Sequence, residues 1–219
     1  KMYLNSEIFS DGTHKDYDKC IEACYKVLEC GKYSMETVRK NVFVTHNENS
    51  KEIIFALPFD ETYVTDWNAF DFHMYSLQPE NQATYNFKAT PWGGACVIPQ
   101  YIESFDPDDQ RLKDDFISGP QYDKNGGVLY CTMGNMKGNP LDYVNKVNSI
   151  DDSDENQGWR WGKFEYAEGI TNRLSNDFPL LRYADVYLMK AEALLRTGHA
   201  DEAAELVTKV RERNFTEHP

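Results

Sequence analysis

The sequence predicts a mostly α fold: a helical hairpin near each end of the chain and, between them, a large irregular, loop-rich insertion containing short strands. Three observations carry this. Apolar residues recur at helical spacing in residues 1–31 and again in 176–214. The second helix of each stretch repeats one pattern of charge and core. From Asp60 to Gly94, by contrast, no period holds, and aromatics are scattered among Asn, Gln, Thr and Ser.

In chain order, Tyr3, Leu4 and Ile8 belong to the first helix, and Ser10 to Lys15 turns the chain. Tyr17 to Glu29 forms the second, closed by Gly31. The run E-I-I-F-A-L-P-F, Glu52 to Phe59, is short, apolar and ended by proline, which predicts a buried strand. Helical spacing returns from Pro99 to Phe116 through Tyr101, Phe105 and Leu112. Gly119 to Asn139, rich in Gly and Asn, reads as hairpin or loop. Asp151 to Glu155 reads as a mobile acidic surface loop, and the alternating aromatics of W-R-W-G-K-F-E-Y as a strand.

The C-terminal hairpin is the clearest element. Asn176 and Asp177 are candidate caps, and Pro179 falls in a first turn, where its missing N–H does no harm. Leu180, Ala184, Tyr187, Leu188, Ala191, Leu194 and Leu195 give one apolar face. Gly198 ends that helix and Asp201 caps the next, whose stripe is Ala203, Val207 and Val210. Small residues at Ala191 and Ala203 allow close approach. Asp18, Glu22, Lys26, Val27 and Glu29 match Asp201, Glu205, Lys209, Val210 and Glu212. In that register Cys20 and Cys24 fall at the core positions of Ala203 and Val207. The pair therefore reads as core rather than as a thiol pair or half a metal site.

The spacing of Tyr187, Ala191, Leu194, Gly198, Ala203, Val207 and Val210 resembles a tetratricopeptide (TPR) unit, the building block of α-α superhelical scaffolds. The longer phrase D-F-P-L-L-R-Y-A-D-V-Y-L-M-K-A-E-A-L resembles the hallmark helix of the SusD/RagB family. N-S-K-E-I-I-F-A-L, S-F-D-P-D-D-Q-R-L-K-D-D-F, G-K-F-E-Y, and the early L-N-S-E-I-F with Y-D-K-C-I-E-A-C-Y-K-V-L-E-C-G-K-Y-S-M are also similar to that family, in its order. The resemblance implies a partial SusD-like domain over residues 1–219. TPR-like hairpins would occupy 1–31 and 176–214, and a ligand-binding insertion 50–165. The chain begins inside what reads as a helix and ends just after another, so both ends read as cut and a segment of a longer protein is expected.

Several function classes are disfavoured. A formal net charge of −13 would repel nucleic acid and anionic membrane faces. No Gly-rich phosphate loop, nucleophile elbow or zinc-type His pair is present, and His14, His46, His73, His199 and His218 are dispersed. Acidic pairs are abundant, but no spacing selects one for hydrolysis. Asp106, Asp108 and Asp109 offer oxygen ligands that suit calcium. Capping the helix near Pro107 and pairing with Arg111 or Lys113 is the reading their position favours.

Aromatics among amide side chains are the lead. A sugar ring has an apolar face of C–H groups and a hydroxyl edge, and calls for a flat aromatic platform beside planar hydrogen-bonding groups. Trp67, Asn68, Tyr75, Tyr85, Asn86 and Trp92 fit, with Trp92 foremost because Gly93 and Gly94 leave a ligand room to approach. The resemblance implies a non-catalytic protein at the outer face of a Gram-negative outer membrane, held by an N-terminal lipid anchor. It would pass an oligosaccharide to a TonB-dependent, SusC-like transporter. A peptide ligand in the same role, or a TPR scaffold binding a protein segment, are the alternatives.

Overall fold

A computed structural model describes residues 1–64 and 69–215. Its helices are α1 (Ser6–Phe9), α2 (Tyr17–Leu28), α3 (Phe72–Ser76), α4 (Gln82–Tyr85), α5 (Pro99–Glu103), α6 (Arg111–Asp114), α7 (Tyr183–Arg196) and α8 (Ala200–Arg211). Its strands are short: β1 (Ile53–Leu57), β2 (Phe116–Ile117), β3 (Gly119–Pro120), β4 (Asp142–Tyr143), β5 (Arg160–Trp161) and β6 (Phe178–Arg182). No described helix is long and apolar enough to cross a membrane. The chain divides into two compact units. Lys1–Val42, Glu48–Leu57 and Phe178–Pro219 form the first, and Phe43–Asn47 with Pro58–Asp177 the second.

The first unit is built on α7, which packs against both α2 and α8. Tyr17, Cys20 and Cys24 of α2 bury against Val186 and Ala193, while Ala191 and Leu194 bury against Ala203 of α8. The cysteines are core, as expected, but the register that predicts it holds only for Cys20 and Ala203, since Val207, the counterpart of Cys24, is exposed. On the open side of α7 and α8, Leu188, Leu195 and Val207 stay exposed and line a groove.

Two sequence expectations are corrected here. The C-terminal hairpin does not begin at Asn176. Phe178–Arg182 is extended and pairs antiparallel with β1, Ile53 opposite Arg182 and Leu57 opposite Phe178. In a two-stranded ladder one edge is always free, so Pro179 fits without a lost bond. The helix starts at Tyr183, where the Asp185 carboxylate accepts from the Arg182 N–H at 3.3 Å. Leu180 is therefore on a strand and partly exposed rather than on the helical stripe. Equally, β1 is not a buried strand. A two-stranded ribbon leaves a face open, and Phe55 and Leu57 lie on the surface.

Glu52, just before β1, has no solvent exposure. It accepts from Arg182 Nη1 at 2.9 Å, from Arg213 Nη2 at 3.0 Å and from the Glu36 N–H at 2.9 Å. A buried carboxylate persists only when its charge and lone pairs are satisfied. This one ties the end of the C-terminal hairpin to the start of the ribbon.

The second unit holds the irregular chain together with small ladders and rings. Phe116 pairs with Trp161 and Ile117 with Arg160, and Gly119–Pro120 pairs with Asp142–Tyr143. Of the strand expected over W-R-W-G-K-F-E-Y only Arg160–Trp161 forms, with Trp159 in an isolated bridge to Val97, and residues 162–166 are not strand. The helix expected from Pro99 to Phe116 is broken into α5 and α6, because the intervening D-P-D-D folds as a turn. Asp106 accepts from the Asp108 N–H, and Asp109 accepts from the Arg111 N–H at 3.0 Å and pairs with its guanidinium. Among the described residues no cluster of three His, Cys, Asp or Glu is placed to hold a metal ion.

Candidate ligand-binding site

The segment after Pro91 is laid along α3 by two backbone bonds. The Trp92 N–H donates to the Met74 carbonyl at 2.7 Å, and the Ala95 N–H to the Tyr75 carbonyl at 2.8 Å. Gly93 makes this approach possible. Its φ is +75°, and a Cβ there would sit 2.7 Å from Gln78 Oε1. Held this way, Trp92 meets Tyr75 edge to face, with ring centroids 4.7 Å apart and planes at 78°. Each ring keeps about half of its surface in solvent, 51% and 52%. Two half-exposed rings side by side offer a flat surface on which a ligand can stack.

On the Tyr75 side lies a cavity of about 450 Å³ with an almost wholly apolar wall of Phe72, Tyr75, Val97, Tyr101 and Trp161. Its size suits a small ligand. Phe72 is set by its edge contact with buried Phe70 at 5.0 Å. Trp161 is set by its N–H donating to Ser76 Oγ at 2.6 Å, which ties β5 to α3. On the Trp92 side lies a second cavity, about 370 Å³ and polar, walled by Gln78, Asn135, Asp152, Asp154, Glu155 and Arg160 among others.

The polar cavity has a defined electrostatic floor. Glu155 accepts from the Thr132 and Met133 N–H groups at 2.9 and 2.8 Å. Burial, with the adjoining Glu80 carboxyl, nevertheless raises its pKa against the pull of those N–H groups. Arg160 lies beneath, donating from Nη2 to the Glu155 carbonyl at 2.8 Å and stacking 4.6 Å over the Tyr143 ring. Asp154 accepts from the amides of Asn135 and Gln157, each at 3.2 Å.

Of the residues predicted from the sequence, Tyr75 and Trp92 are brought together at this site. Tyr85 is elsewhere in the unit, stacked on Phe87 at 4.9 Å and edge-on to Tyr166 at 5.8 Å. Burial pushes its hydroxyl pKa up to about 12. Asn86 closes α4 in the left-handed conformation, φ +52°, with its amide toward Glu168. Neither residue lines either cavity. Trp67 and Asn68 lie outside the described residues. The sequence reading missed Phe72, Tyr101 and Trp161 as wall residues. Strand alternation was the available signal for Trp161, since it turns Arg160 inward and Trp161 outward. The acidic stretch is a surface loop at Asp151 to Ser153, as expected, but Glu155 is buried and Asp152 to Glu155 wall a cavity.

This arrangement offers flat rings beside planar polar groups. The SusD family matches residues 51–218, which is most of the chain. The chain belongs to the SusD family. No curated protein matches the sequence. Among solved structures, a SusD superfamily protein from Parabacteroides distasonis is 19% identical with a TM-score of 0.64, covering 99% of this chain and 43% of that one. Bacteroides fragilis NanU is 21% identical with a TM-score of 0.60, covering 98% and 42%. Surface glycan-binding protein A from Bacteroides thetaiotaomicron, in complex with laminarihexaose, is 16% identical with a TM-score of 0.65, covering 100% and 46%. At these identities the likeness establishes the fold. The chain spans less than half the length of these SusD-type structures, and its few short strands and packed helices agree with them.

Proposed function

We propose that this chain is the ligand-holding part of a non-catalytic glycan-capture protein, with the Tyr75–Trp92 pair as its platform. The exposed edge-to-face pair between an apolar and a polar cavity carries the reading. One sugar face stacks on a ring while the hydroxyl edge reaches Gln78 or Asn135. Family membership and the laminarihexaose complex of a relative support a carbohydrate ligand. In this reading the protein is lipid-anchored at the outer face of the outer membrane and hands its ligand to a TonB-dependent, SusC-like transporter. The helices of the first unit act as a TPR-like scaffold, and Trp67 and Asn68 extend the platform. No bound metal is needed for the stacking, so calcium is left as a structural accessory at most.

Affinity electrophoresis with a glycan panel tests this. Retardation without shortened products, lost in Trp92→Ala, supports capture. Retardation by no glycan, with peptides bound instead, moves the ligand to the peptide class. The exposed groove of Leu188, Leu195 and Val207 favours a second role in protein contact. That role predicts partner binding that responds to Leu195→Asp and not to Trp92→Ala.

A further inference from the structure

We infer that the polar cavity beside Trp92 sorts sugars by charge, accepting units that carry only hydroxyl or ammonium groups and rejecting units that carry a carboxylate. This rests on the capture reading above and names the ligand class for the same site.

The argument begins with an imbalance of charge. Asp152, Asp154 and Glu155 all line the cavity, and Arg160 is the one basic residue among its described lining. Behind Glu155 stands Glu80, whose Oε1 accepts from Thr132 Oγ1 at 2.5 Å. Glu80 Oε2 and Glu155 Oε1 are both buried with no hydrogen-bond partner among the described residues. The carboxyl groups that line the cavity outnumber its one guanidinium three to one.

Arg160 does not offset them for a ligand. It is only 2% exposed, and its Nη groups donate to the carbonyls of Glu155 and Ala95. Its guanidinium face lies on Tyr143, and its Nε has no partner but is sealed from solvent. A ligand carboxylate has no open N–H fork to grip. It would meet Asp152 and Asp154 on the same concave wall, where like charges repel. Hydroxyls and ammonium groups donate to the same carboxylates. Glu155, more than nine-tenths buried in the wall, holds the backbone of Thr132 and Met133 in place.

The test uses polymers matched in backbone and different in charge: fully methyl-esterified polygalacturonate against polygalacturonate, and hydroxyethyl cellulose against carboxymethyl cellulose. Affinity electrophoresis compares the whole chain, Trp92→Ala, the rim double Asp152→Asn with Asp154→Asn, and a control double on α8, Glu202→Gln with Glu205→Gln. The control matches the change in net charge outside the cavity. The expected result is Trp92-dependent retention of a neutral polymer at least about tenfold stronger than of its anionic partner at low salt. The rim double should narrow that ratio severalfold, and the α8 double should leave it unchanged. Trp92-dependent retention of an anionic polymer as strong as that of its neutral partner overturns the charge rule alone. Equal narrowing by both doubles also overturns it, assigning the discrimination to overall charge. Retention of no polymer, or retention indifferent to Trp92→Ala, overturns the capture reading and this inference with it.

Discussion

Tyr75 and Trp92 touch edge to face at 4.7 Å because two backbone bonds fasten the Trp92 segment to the end of α3. Both rings are half exposed, so their truncation removes ligand contact more than core. Trp92→Ala should weaken glycan binding by about 2 kcal/mol, roughly thirtyfold in Kd, while lowering stability by less than ~1 kcal/mol. Tyr85→Ala should do the reverse, since its ring is packed between Phe87 and Tyr166. It should cost about 3 kcal/mol of stability and leave the affinity of the folded fraction unchanged. Calorimetric titration alongside urea unfolding reads both quantities. A Trp92→Ala protein with wild-type affinity would remove this site from consideration.

Glu52 gives a sharp contrast between buried and exposed ion pairs. It is fully buried between Arg182 and Arg213, whereas Glu192 and Arg196 form an i,i+4 pair on the surface of α7. Glu52→Gln should destabilise by about 3–5 kcal/mol, because two guanidinium groups lose their counter-charge. Glu192→Gln should cost no more than about 0.5 kcal/mol. Equal effects in denaturant titrations would contradict the assigned role of Glu52.

The contrast also shows what a sequence can disclose. The helices of the C-terminal hairpin were legible because their apolar period is long and Gly198 marks the turn. Their starting point was not, because Pro179 is equally at home in a first turn and on a free strand edge, and only the ladder with β1 decides. The sequence reads Gly93 and Gly94 as room for a ligand beside Trp92; at Gly93 that space is filled by Gln78, and at Gly94 it is open. Trp161 gave only the weak sign of strand alternation and Tyr101 none, since their surfaces are set by the distant pairing of β5 with β2 and by the break between α5 and α6. The Glu52–Arg213 pair bridges residues 161 positions apart, a relationship that no local pattern encodes.

The cysteines separate by burial. Cys20, Cys24 and Cys131 are buried, Cys96 is half-buried and Cys30 is exposed. Burial, with Cys20 alongside, pushes the Cys24 thiol up to about 12. Burial and the nearby Glu155 and Glu80 push Cys131 to about 11. Thiolate is the reactive form, so iodoacetamide at pH 8 should modify Cys30 first and Cys96 next. Cys20, Cys24 and Cys131 should react only after unfolding. Peptide mass spectrometry over a time course checks the order, and early modification of Cys24 would contradict the packing of α2 on α7.

His73 links the site to acidity. It lies on α3 two residues before Tyr75, has no solvent exposure, and donates from Nε2 to the Thr171 carbonyl at 3.0 Å. Phe87 and Tyr166 close around its ring. Burial lowers its pKa from 6.5 to about 4, against smaller opposing pulls from the Thr171 carbonyl and Glu61. Between those values the unfolded chain takes up a proton that the folded chain refuses. The penalty is absent above about pH 6.5 and grows as pH falls toward 4, reaching at most ~3 kcal/mol. His73→Gln retains an amide donor and does not titrate, so its stability should decline less than that of the wild type between pH 7 and pH 4.5. The difference should be about 2 kcal/mol or somewhat more, measured by urea unfolding at both values. Because α3 also carries Tyr75, wild-type glycan retention should weaken over the same interval, and His73→Gln should retain more of it. Parallel pH profiles for the two proteins would show that His73 is not the group that loosens α3.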